Sequence, residues 1–86
     1  MIKLNKKNQR VLDSIFAEPV KSNVIWNDIE KLLLSLGTEI SEGRGSRVRL
    51  YLNGVRAVVH RPHPQKETDK GALKSMRRFL IETGVK

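Results

Sequence analysis

The sequence predicts an α+β domain in which a three-stranded antiparallel sheet packs against helices, with an extra helix at the N-terminus. Three observations predict it. Apolar residues recur at helical spacing in three separate segments. They alternate with polar side chains at strict period two in RVRLYL, and an Asn-Gly pair follows that run directly. The 86 residues suffice for one compact domain, and a hydrophobic content of 38% supports a modest two-layer core.

Residues 5–17 read as the first helix, with Val11, Leu12, Ile15 and Phe16 on one face. Glu18-Pro19 ends it, because the residue before a proline avoids the α region. Residues 22–36 hold the second helix, where Ile25, Trp26, Ile29, Leu32, Leu33 and Leu36 recur. A capping box between Asn27 and Glu30 is expected to start its regular part near Trp26. Gly37 suits the left-handed position that closes it. Residues 38–42 form a short strand and residues 43–45 a turn. Residues 46–52 then form a half-buried strand, and Asn53-Gly54 accepts the positive φ angles of a type I′ turn. Residues 55–60 return as the third strand, and residues 61–68 are a proline-containing loop. Asp69 caps a last helix over residues 70–83, closed by Gly84, with Leu73, Met76, Phe79 and Leu80 inward. No repeat or linker interrupts the chain, so one domain is expected over residues 1–86. Residues 1–24 form its helical extension and residues 25–86 its core.

The two-residue turn fixes the register of the hairpin. Leu52 pairs with Val55, Tyr51 with Arg56, Leu50 with Ala57, Arg49 with Val58, Val48 with Val59 and Arg47 with His60. Side-chain parity then puts Val48, Leu50, Leu52, Val55, Ala57 and Val59 toward the core. Arg47, Arg49, Tyr51, Arg56, Val58 and His60 share the outer face. Arg47 and His60 form a non-hydrogen-bonded pair, where side chains lie closest. Two cations there repel, so either His60 is uncharged or an anion lies over the face. A phosphodiester would serve.

The formal net charge is +8, and its distribution says more than its size. Residues 1–43 carry six Lys/Arg against six Asp/Glu, whereas residues 44–86 carry eleven against three. The excess sits in one half, which points to a surface for a polyanion. No apolar run approaches a membrane span, and the N-terminus lacks the apolar stretch of a secretory signal; a cytoplasmic location is expected. The absence of cysteine excludes disulfides, thiolate chemistry and cysteine-based zinc sites.

Gly43-Arg44-Gly45-Ser46 lacks the helix and lysine of a P-loop. His60 and His63 have no carboxylate cluster beside them in the sequence, so neither metal nor cofactor is expected. Metal-free RNA cleavage fits the inventory better. The 2′-hydroxyl must lose a proton, the 5′-oxygen must gain one, and charge building on the phosphate must be stabilised. Histidine performs either proton transfer, and arginine stabilises charge without acting as a base. His60 and His63 are therefore the candidate catalytic residues. Arg47, Arg49, Arg56, Lys74, Arg77 and Arg78 are the candidate phosphate contacts, and Tyr51 is a candidate platform for base stacking.

Three pieces of sequence carry a resemblance. One is the helix ending in Leu36-Gly37 before a strand, and one is the Gly45-Ser46 pair that opens the second strand. The third runs from Pro62-His63 through Lys66-Glu67 and Lys70-Gly71-Ala72-Leu73-Lys74-Ser75-Met76 to Gly84. Together they resemble the HicA-type toxins of toxin–antitoxin systems, from about Asp28 to Val85. The resemblance implies a double-stranded-RNA-binding-like fold, metal-independent mRNA cleavage that arrests translation, and neutralisation by a HicB-type antitoxin. One departure from the family matters. The family's catalytic histidine follows the Gly-Ser pair, and Arg47 stands there, which cannot be a general base. Three readings follow: His60 moves the proton from across the ribbon, His63 (matching the family's second histidine) does so, or the protein binds RNA without cutting it. A non-catalytic nucleic-acid module, and an interaction protein whose basic face serves an antitoxin, stay open beside them.

Overall fold

A computed structural model describes residues 4–62 and 65–86. The order is α1 (Lys6–Ile15), α2 (Trp26–Ser35), β1 (Glu39–Glu42), β2 (Arg47–Leu52), β3 (Val55–His60) and α3 (Lys70–Glu82). Asn5 caps α1, its side-chain oxygen accepting the Asn8 N–H at 2.7 Å, and Asp69 caps α3 through the Ala72 N–H at 2.7 Å. Each cap satisfies one of the amides that a helix start leaves without a partner.

The second helix starts at Trp26, as expected, but without the expected cap. Asn27 and Glu30 form no capping box; the N-cap is Ile25, without a side-chain bond. The reason is tertiary. Residues 24–26 pair with residues 66–68, with Ile25 extended just ahead of the helix. The Thr68 N–H donates to the Val24 carbonyl at 2.7 Å, and the Trp26 N–H to the Lys66 carbonyl at 3.0 Å, around an Ile25–Glu67 bridge. A first-turn amide of α2 thus finds its acceptor in the loop before α3.

The helix ends follow the sequence closely. Gly37, at φ 88°, lets the chain turn back after α2. Its N–H reaches the Leu34 carbonyl at 3.0 Å and the Thr38 N–H reaches Leu33 at 3.0 Å, the two bonds of a Schellman closure. Val85 and Gly84 close α3 in the same way on Leu80 and Ile81.

The sheet is antiparallel in the order β1-β2-β3. Asn53 and Gly54 both have positive φ, at 51° and 79°, as the type I′ turn requires. The hairpin register is the expected one at all six pairs, from Leu52–Val55 to Arg47–His60. The Asn53 side chain also donates to the Thr83 carbonyl at 2.9 Å, which ties the hairpin tip to the end of α3.

The core is one cluster. Val48, Leu50 and Val59 of the sheet meet Leu73, Met76, Phe79 and Leu80 of α3. Ile29, Leu32 and Leu33 of α2 and Leu12 and Ile15 of α1 complete it. Helices cover one face of the sheet and leave the other open, the usual arrangement of such antiparallel sheets. The N-terminal helix is built into this core rather than laid on it: Ile15 is fully buried.

Candidate nucleic-acid interface

The open face is made by the parity of two strands. Arg47, Arg49 and Tyr51 of β2 are exposed, as are Arg56, Val58 and His60 of β3. The edge strand β1 adds Ser41 opposite Arg49 and Glu39 opposite Tyr51. Glu39, Ser41, Arg49, Tyr51, Arg56 and Val58 line a shallow concavity of about 620 Å³ across the sheet. Backbone pairing, not a loop, sets the spacing of these side chains.

Arg47 and His60 are direct cross-strand partners. The Arg61 N–H donates to the Ser46 carbonyl at 2.7 Å, so the ladder bond falls on the next pair out. Arg47 and His60 are therefore a non-hydrogen-bonded pair, the closest kind. Four pairs along the ribbon, on the same face, the Arg56 guanidinium lies 5.5 Å from the centroid of the Tyr51 ring. That cation–π contact occupies one side of the ring and anchors a cation beside an exposed aromatic edge.

The last helix divides its expected phosphate contacts. Lys74 and Arg78, one turn apart, are exposed and line a groove of about 430 Å³ with Arg56 and Val58 beside β3. Among the described residues, Arg78 has only an exposed partner, Glu82, at 3.8 Å. Arg77 does not join them. Its guanidinium donates to the Ile15 and Ala17 carbonyls, each at 2.5 Å, and pairs with Glu18. Its side chain is only 18% exposed. Arg77 sits four residues after Leu73 and three before Leu80, both buried, so it borders the apolar stripe and faces α1. It fastens the end of α1 to α3 and is withdrawn from the basic face. His63 lies outside the described residues.

One cation at the site was missed by local reasoning. Arg61, directly after His60, pairs with Glu42 at the end of β1. The hydrogen bond to Glu42 raises its pKa above the ordinary arginine value, against a smaller opposing effect of burial. Arg61 and Glu42 are 19 residues apart, so no periodicity signals the pair. Among the described residues, no three His, Asp or Glu side chains gather in one place.

The family model described as the HicA toxin of bacterial toxin–antitoxin systems matches residues 26–85. The match begins at the first residue of α2 and ends just past α3, and α1 lies outside it. No curated protein matches the chain, and no solved structure does. A match over this much of the chain, on the elements that build the sheet and its covering helices, places it: the protein belongs to the HicA toxin family of bacterial toxin–antitoxin systems.

Proposed function

We propose that this toxin binds mRNA on the outer face of its sheet, cleaves it without a metal, and is neutralised by a HicB-like antitoxin. Family membership implies an antitoxin partner. The observation that carries the RNA reading is the pairing of Arg47 with His60 on an exposed face that also holds Arg49, Tyr51 and Arg56. No helix among the described residues is long and apolar enough to cross a membrane; acting on mRNA would place the protein in the cytoplasm.

In this mechanism Arg47 and Arg49 hold the non-bridging oxygens of one phosphodiester, with Arg56, Lys74 and Arg78 on flanking phosphates. The 2′-oxygen bonds to phosphorus as its proton passes to a histidine. The bond from phosphorus to the 5′-oxygen breaks, and that oxygen takes a proton. His60 or His63 moves these protons. Tyr51, with one side taken by Arg56, offers its other side to a base.

A specific residue favours a second reading, in which the protein grips RNA without cutting it. Arg47 occupies the position where the family's motif carries its histidine, and arginine stays protonated. One experiment separates the two: RNA cleavage by purified protein in EDTA, beside His60→Ala and His63→Ala. Loss of cleavage in either variant supports the ribonuclease. Equal cleavage by both variants and the parent defeats the histidine mechanism, and intact RNA with binding retained supports the second reading.

A further inference from the structure

The charges of residues 1–43 cancel by count, yet the fold separates them. Lys6, Lys7 and Arg10 of α1 come together with Lys21 around a groove of about 610 Å³, where Asp28 is the one carboxylate among the described lining residues. Lys7 Nζ lies 3.5 Å from Asp28. The other acids of this half are turned to other tasks. Asp13 accepts from Gln9, Glu18 holds Arg77, Glu42 holds Arg61 with Glu30 acting on it more weakly, and Glu39 lies beside Tyr51 on the sheet. Among the described residues, Lys6, Arg10 and Lys21 have no ion pair.

This arrangement works against α1 on its own. The first turn of a helix is the positive end of its dipole and favours acids, but α1 has none there and carries Lys6 and Lys7 instead. Lys6 and Arg10 are also like charges at i,i+4, a spacing that destabilises a helix. An anion in the groove offsets both terms.

The groove reaches the end of β3 through a neighbouring concavity. It shares Ile25 and Asp28 with a second concavity of about 600 Å³ that includes Lys31, Arg61, Pro62 and Lys66. Arg61 follows His60, which stands opposite Arg47. Because Glu42 answers the charge of Arg61, the exposed Lys31 and Lys66 carry the middle of the path. We propose that an RNA strand held on the outer sheet face continues over Lys66 and Lys31 into the α1 groove, where Lys6, Arg10 and Lys21 bind its phosphates. This rests on the RNA reading above. It gives α1, which lies outside the family match, a role in lengthening the footprint. The longest dimension of the molecule is 34 Å, and stacked nucleotides at ~3.4 Å each cover it in ~10 residues.

The test uses the full-length protein and 2′-O-methyl RNAs, which cannot be cut by attack of the 2′-oxygen. Lengths of about 4 and about 14 nucleotides fall on either side of that span. Binding is followed by fluorescence anisotropy against salt for the parent, for Lys6→Gln/Arg10→Gln/Lys21→Gln, and for Arg47→Gln/Arg49→Gln. Each lost contact to a single strand removes ~0.7 from the slope of log K against log salt, so the α1 variant should lose about 2 on the long RNA. The short RNA, which the sheet face holds alone, should change less than twofold in affinity. The sheet variant should weaken both. An unchanged slope on the long RNA overturns the extension while leaving the sheet face intact. Equal losses on both lengths in the α1 variant overturn it too, since they report only net charge. A parent that binds neither RNA defeats the RNA reading itself.

Discussion

Replacing Arg77 with methionine tests whether this arginine fastens the fold or grips a ligand. The change keeps an unbranched chain along the flank of α3 and removes the guanidinium. Two backbone carbonyls, Ile15 and Ala17, lose charged donors at 2.5 Å, and Glu18 loses its partner. A hydrogen bond to a charged group contributes ~1.5–3 kcal/mol, but these acceptors lie at a helix end where water replaces part of that, so ~1–1.5 kcal/mol each is reasonable. Glu18 is 70% exposed, and its ion pair adds at most ~1 kcal/mol. The sum, ~2–4 kcal/mol, is a large share of the ~5–13 kcal/mol expected for a chain of this size. At ~4–8 °C per kcal/mol for a small domain, the melting temperature should fall by roughly 8–32 °C. Urea titration should show a lower midpoint with an unchanged slope. Arg77→Lys, with a single ammonium for three acceptors, should recover less than half. Below the melting temperature, the salt dependence of RNA binding should match the parent. A melting temperature within about 2 °C of the parent, together with a shallower salt slope, would refute the reasoning and return Arg77 to the phosphate contacts.

Four further outcomes follow from the geometry. Arg47→Gln and Arg49→Gln should each lower the salt slope by ~0.7 without moving the melting temperature, because both side chains are exposed; anisotropy and thermal unfolding check this together. Tyr51→Ala should weaken single-stranded RNA by ~1–3 kcal/mol, roughly 5–150-fold, if a base stacks there. Ile15→Ala should cost ~2–5 kcal/mol in chemical denaturation, because Ile15 is fully buried in the shared core. Asn53→Gly should cost only ~1 kcal/mol, the bond to the Thr83 carbonyl, whereas Asn53→Ala should cost more, since alanine at φ 51° adds backbone strain.

Features that depend on near neighbours are legible in the chain. The period-two run in RVRLYL and the Asn53-Gly54 turn set every pair of the hairpin, because a two-residue turn leaves no freedom of register and the apolar side chains agree on both strands. Asp69, Gly37 and Gly84 act within a turn of their own positions, so their roles at the helix ends were also legible. The outer face, with Arg47 opposite His60, follows from the same parity.

Features that depend on distant parts of the chain emerge only on folding. Residues 24–26 pair with residues 66–68, and that pairing, not Asn27 or Glu30, sets the start of α2. Arg77 is one cation among several on α3 by sequence, and it leaves the basic face because the carbonyls at the end of α1 come to rest beside it. Glu42 takes the charge of Arg61 across the sheet. In the first half of the chain the net charge is near zero as a sum, and the fold turns it into a cationic groove by facing every acid but Asp28 elsewhere. Charge counted along a chain is a scalar; a surface depends on which side chains share a face, and long-range packing settles that.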